Sequence, residues 1–205
     1  MAQTDASVRV LLCELLKLFY DKGWVSGTGG GISGAFGGNL LVAPTGVHKE
    51  RVAPEDFFVI AADGSTLSPA ADPTLHPSEC VPIFSAIVRA RGAGSVVHSH
   101  ALSAVLAGDL AKDDALAIKD LEMLKGLPGV TNRDEHLVPV IDNTAREREL
   151  TGAVEAALGD PRFAAAHAIL VRDHGAYIWG DDIWDAKKHT EVYHFLFEAT
   201  NARRR

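Results

Sequence analysis

Cysteine is scarce in this sequence of 205 residues, which has only two. Cys13 and Cys80 fall in different predicted helices without CxxC spacing, which excludes a disulfide framework and a thiolate zinc site and suits a reducing compartment. Basic charge is not in excess either. Lys and Arg number 20 against 27 Asp and Glu, for a net charge of −7, so a general nucleic-acid binder is excluded, and the closing "ARRR" is too short to reverse that. No apolar run approaches the ~20 residues of a membrane span, no basic-then-apolar leader opens the chain, and there is no internal repeat or low-complexity tract. The remaining composition suits one globular domain over residues 1–205, large enough for its own core, soluble and cytoplasmic, with neither membrane nor nucleic acid as partner.

The periodicity alternates between helical and extended. Val8, Leu11, Leu12, Leu15, Leu16 and Phe19 recur at helical spacing over 7–21. Short strands are predicted at 39–43 and 57–60, and a helix opened by Pro77 and closed by Gly92. A strand at 95–99 and a short helix from Ala101 follow, then a strand at 137–141. Thr144 has the place of an N-cap, with Glu147 completing a capping box for a helix running to Gly159. A strand pair surrounds "RDHG", and a last helix covers 183–202. Residues 109–134 have poor periodicity and read as a mobile loop or an active-site segment. The sum is an α/β chain with one mixed or mostly antiparallel sheet covered by helices.

The stretch "SVVHSHALSAV" puts His98 and His100 two residues apart at the end of an apolar strand, so both project to one face with Ser99 turned away. That is chelate geometry, though two hydrogen-bonded histidines would look the same. His174 in "LVRDHGAYIWG" lies between two strand segments before Gly175. It is either an idle hairpin-tip residue or the third nitrogen of a three-imidazole metal site with one position open.

Other segments carry weaker signals. The glycines of "SGTGGGISGAFGG" leave free N–H groups, and Thr28 and Ser33 add hydroxyls, which suits a phosphate cradle or a plain connector. The stretch satisfies G-x-G-x-x-G, but it follows a helix and leads into a strand, which rules out dinucleotide binding. Thr45, Gly46 and Lys49 in "VAPTGVHKE" are further anion candidates, or a strand-ending turn and a solvated charge. Ser78, Glu79 and Cys80 stand in the first turn of the predicted helix, where an anion is favoured, while Cys80 also suits the core and Glu79 the helix dipole. Glu122, among Leu121, Met123 and Leu124, is either a desolvated acid/base or a surface partner of Lys125.

Taken in order, "GTGGGIS", "APTGVHKERVAPED", "HSHALSAV", "LEMLKG" and "LVRDHGAYIWG" resemble the class II aldolase and adducin-head family, from about Leu11 to Phe197. The resemblance implies a single three-layer α/β/α domain around a mostly antiparallel sheet, a homotetramer with sites near subunit boundaries, and one zinc ion per subunit on His98, His100 and His174. It further implies a sugar-phosphate substrate, with Glu122 as acid/base, Cys80 at the substrate, and Thr28, Gly29, Gly30, Gly31, Thr45, Gly46 and Ser78 about its phosphate. "LEMLKG" and "HGAYIWG" point to a hydro-lyase branch that dehydrates a ketose 1-phosphate. Sugar-phosphate aldolases of the family usually have asparagine where Gly31 falls and two serines before the glutamate aligned with Glu79. Here Pro77 and Ser78 precede it, so this chain holds both candidate carboxylates and aldol cleavage is the alternative activity. A non-catalytic scaffold like the adducin head is the third reading, but a scaffold has no need of three imidazoles.

Overall fold

A computed structural model describes residues 5–203. Helix α1 (Asp5–Asp21) buries Val8, Leu12, Leu15, Leu16 and Phe19, the apolar stripe of the sequence. The chain then forms the hairpin β1 (Gly31–Phe36) and β2 (Asn39–Val42), followed by β3 (Phe58–Ile60) and β4 (Thr66–Ser68). Next come α2 (Val81–Arg91), β5 (Ser95–Ser99), α3 (Leu102–Gly108), β6 (Ala115–Ile118), β7 (His136–Ile141), α4 (Thr151–Gly159), the hairpin β8 (Ala168–Val171) and β9 (Gly175–Gly180), and the long α5 (Ile183–Arg203).

Among the described residues nine strands form one sheet in the order β4-β3-β2-β1-β5-β9-β8-β7-β6. All neighbours are antiparallel except β7 and β8, so the sheet is mixed and mostly antiparallel. Alternation divides each central strand between two cores. Val96, Ile169, Val171, Tyr177 and Trp179 pack with Phe84 and Ile87 of α2 and Val154 and Leu158 of α4. On the opposite face Ile32, Leu41 and Val97 meet α1, while Leu170, Ala176 and Ile178 meet α3 and α5. Burial on both faces makes these strands near-continuous apolar runs and gives the three-layer arrangement. Among the described residues no helix is long and apolar enough to cross a membrane.

Four local expectations are corrected. Helix α2 starts at Val81, with Pro82 in its first turn, because Pro77 instead bridges Pro44 in extended conformation. The glycine stretch is a loop only to Gly30. From Gly31 it is strand β1, and Ser33 is buried with its hydroxyl on Val96 rather than free for an anion. Residues 109–134 hold strand β6, whose Leu116 and Ile118 are buried, and a 3-10 turn at Glu122–Gly126. Helix α4 starts at Thr151, and Thr144 caps nothing, since its hydroxyl donates to the Arg146 carbonyl (2.9 Å).

Burial of imidazole sets an acid limit on this fold. His194 is 1% exposed, stacks on Trp24 (4.4 Å between centroids) and hydrogen-bonds Ser103; burial pushes its pKa down to about 3. His136, bonded to the Tyr193 hydroxyl, is pushed down to about 4 by burial and then by His167. The unfolded chain takes up these protons near pH 6.5 while the folded chain refuses them. Their contribution is therefore complete above pH 6.5 and is lost as the pH falls from there toward 3–4. Denaturant titrations should show stability falling below pH 6.5. His194→Gln should flatten that slope by one proton, about 1.4 kcal/mol per pH unit; an unchanged slope would remove His194 from this account.

Candidate active site

Strand β5 supplies His98, and the residue two beyond it, His100, leaves the strand end on the same side. His174 comes from the β8–β9 turn. Antiparallel pairing of β5 with β9 sets Ser99 opposite Ala176 and His98 opposite Tyr177, so the turn is carried to the end of β5. Gly175 is required for that approach, because a Cβ there would collide with the Ser99 carbonyl oxygen.

The Nε2 atoms of the three histidines lie 2.8 Å (His98–His100), 3.0 Å (His100–His174) and 3.2 Å (His98–His174) apart. The outer nitrogens of His98 and His174 define the protonation of those two rings. His98 Nδ1 faces the Ala176 carbonyl at 3.1 Å and His174 Nδ1 faces Asn143 Oδ1 at 3.2 Å. An Nδ1 that faces an acceptor keeps the ring proton, which leaves the Nε2 lone pair pointing inward. Inward-facing lone pairs this close repel unless a cation or proton lies among them. Four donors about 2.0–2.1 Å from a tetrahedral zinc ion stand roughly 3.3–3.4 Å from one another, so the donor set fits a divalent metal.

A fourth group completes the cluster. Glu147, from a 3-10 turn at Glu147–Leu150 ahead of α4, sets Oε1 2.7 Å from His98 Nε2 and 3.8 Å from His174 Nε2. All four ligand atoms lie within 4.8 Å of one another. The Tyr177 hydroxyl donates to the same Oε1 at 2.6 Å, and its ring stacks on His98 at 4.2 Å. Burial would raise the Glu147 carboxyl, but hydrogen bonds from the Tyr177 hydroxyl and the Cys80 thiol favour its ionised form. His100 is pushed down to about 3 by burial and then by its two imidazole neighbours, so it stays unprotonated and free to ligate. Cys80, 2% exposed, lies beside Glu147 and Tyr177 with its thiol pKa raised well above normal, chiefly by burial.

The anion candidates gather from three segments. Pro44 bridges Pro77, and the Thr45 N–H donates to the His76 carbonyl at 3.0 Å, so the turn of Thr45 and Gly46 stands against Ser78. The loop of Thr28, Gly29 and Gly30 abuts the histidines. A Cβ on Gly29 would collide with His100 Nδ1, and one on Gly30 would lie 2.8 Å from the His98 carbonyl oxygen. Gly31 is already in β1, paired with His98. Lys49 departs from expectation as a phosphate contact. Only 2% exposed, it spends its ammonium protons on the carbonyls of Thr28 (3.0 Å), Pro44 (3.2 Å) and Val47 (3.2 Å). It is a strut joining two of the three segments, with a pKa lowered by burial. Ser78 is buried and accepts from the Cys80 N–H at 3.1 Å, while Thr28, Gly46 and Glu79 are exposed.

Glu122 stands outside the histidine cluster. Its side chain is 72% exposed, not desolvated, and its carboxylate accepts from Lys125 (2.7 Å) and Asn132 (2.9 Å). Glu147, Tyr177 and Asn143 were not legible as site residues. Spacing offered Glu147 only a capping role, and the partner of His98 across the sheet depends on strand register.

The family pattern described as the Class II Aldolase and Adducin N-terminal domain matches residues 10–200. Methylthioribulose-1-phosphate dehydratase of Komagataella phaffii is 39% identical over 194 residues, which cover 92% of this chain and 79% of that protein. The enzyme of the same name from Mus musculus is 40% identical over 204 residues, or 96% of this chain and 84% of that one. Among solved structures, YgbL from Escherichia coli superposes with a TM-score of 0.80 at 20% identity, covering 96% of this chain and 89% of its own, a likeness of fold alone. Sequence and architecture agree that this chain belongs to the Class II Aldolase and Adducin N-terminal domain family, in company with its methylthioribulose-1-phosphate dehydratases.

Proposed function

We propose that this chain is a zinc-dependent hydro-lyase of methionine salvage that converts 5-methylthioribulose 1-phosphate to 2,3-diketo-5-methylthiopentyl 1-phosphate. The observation that carries this reading is the convergence of three imidazole Nε2 atoms, 2.8–3.2 Å apart, at the end of β5, in a chain about 40% identical to enzymes of that name.

His98, His100 and His174 would hold one divalent ion per subunit, which would supply Lewis acidity to a ketone oxygen and so acidify the adjacent carbon. Glu122 removes the C3 proton, and a proton returned from it or from water accompanies the departing C4 hydroxyl. The enol then relaxes to the diketone, so no redox cofactor is needed. Backbone N–H groups of Gly30 and Gly46, with the hydroxyls of Thr28, Thr45 and Ser78, bind the phosphate alongside Gly29 and Gly31, and Lys49 keeps two of those segments together. Cys80 and Glu79 adjoin the substrate.

Glu122 is exposed in the single chain, so we place it at the reaction centre of an adjoining subunit in a homotetramer, with the whole chain acting as one domain in the cytoplasm. Leu102 and Leu106 of α3 and Phe195 of the packed helix α5 are 68%, 36% and 47% exposed, which supports association. Sedimentation of a lone chain at micromolar concentration would refute the assembly. Mass spectrometry of the product from methylthioribulose 1-phosphate tests the reaction. Loss of water is expected, whereas release of dihydroxyacetone phosphate and a short aldehyde would establish an aldolase.

A further inference from the structure

Neutral imidazoles alone leave a bound divalent ion at its full double charge, and the fourth member of the cluster alters that balance. Glu147 Oε1 is 2.7 Å from the inward nitrogen of His98, so close that one ion can touch both. An ionised carboxylate facing imidazole lone pairs in a site where His98 is 1% exposed is unfavourable without a cation between them. The carboxylate is also held from behind. Tyr177 is fully buried, lies on β9 opposite His98, and donates to Glu147 Oε1 at 2.6 Å, which leaves Glu147 little freedom to swing out.

We infer that Glu147 is a fourth protein ligand of the metal, and that Tyr177 is a positioning residue that aims its carboxylate. This rests on reading the histidine trio as a metal site. It departs from the expectation of three protein ligands and an open position. The resting centre then carries a net charge of about +1 rather than +2, one carboxylate having joined three neutral imidazoles. Substrate oxygens must expand the coordination or displace the carboxylate, and a displaced Glu147 still has the Tyr177 hydroxyl as a donor.

The test is metal affinity measured with zinc alone, by competition against a chromophoric chelator, together with the visible spectrum of the cobalt(II)-loaded full-length protein. Wild type should bind about one ion per chain. Glu147→Gln should bind zinc at least tenfold more weakly, with a changed cobalt spectrum, since even residues that merely orient ligands are typically worth ~10–100-fold in affinity. Glu147→Asp, which keeps the charge but shortens the reach, should change both in the same direction and serves if the glutamine variant does not fold. Tyr177→Phe should weaken zinc about tenfold while leaving the cobalt band positions in place, because the ligand set is intact. Wild-type affinity and spectrum in folded Glu147→Gln or Glu147→Asp, with His98→Ala unable to bind, would overturn the role of Glu147 and leave the histidine site standing. A wild-type protein that binds no stoichiometric metal would overturn both.

Discussion

Replacing His98 with alanine is expected to empty the metal centre and to lower the dehydration rate by on the order of a thousandfold or more, the several kcal/mol that a Lewis acid contributes at a developing enolate. His98 is the most deeply placed of the three imidazoles. Its Nδ1 is fixed by the Ala176 carbonyl and its ring lies flat on Tyr177 with an interplanar angle of 9°, so no neighbour can take over its position. The substitution also strands Glu147, whose carboxylate loses its 2.7 Å partner. Metal content by atomic emission and turnover on methylthioribulose 1-phosphate are the paired measurements. An alanine variant that kept its metal and its rate would refute the assignment of the site.

The second large effect concerns Glu122. Glu122→Gln should slow dehydration by about 10²–10⁴-fold, the usual contribution of a positioned acid or base, while metal content stays at the wild-type level because this carboxylate is outside the ligand cluster. Glu79→Gln should be much less damaging. The reverse ranking would favour aldol cleavage, the alternative that the resemblance to the family's aldolases attaches to Glu79. If Glu122 serves a neighbouring subunit, a mixture of His98→Ala and Glu122→Gln chains that exchange subunits should regain activity that neither has alone. Each kind of chain then supplies what the other lacks. No recovery in demonstrably mixed oligomers would place Glu122 in its own subunit's site or outside the chemistry.

The readable part of this protein consisted of features that repeat locally. The stripe of α1, the β5 run ending in His-x-His and the β8–β9 pair around His174 all occur where periodicity put them. Periodicity works for these because each element buries a face whose spacing the backbone dictates. It failed at 109–134, where β6 has only 4 residues and depends on β7 for its hydrogen bonds. It failed again at Pro77, where an extended bridge to Pro44 outcompeted a helix start. Lys49 shows the limit for single residues. A lysine after a turn reads as solvated, and only the approach of the Thr28 and Pro44 carbonyls makes it a buried strut.

The amino-acid order by itself determined the family, the layered α/β class and the three histidines, because their recognition needs only residue types at set spacings. The tertiary structure alone decided that Glu147 joins those histidines and that Glu122 does not. Side chains 49 positions apart, such as His98 and Glu147, meet only once sheet register and helix packing are set. Those are collective outcomes of burying both faces of the sheet, and no local stretch encodes them.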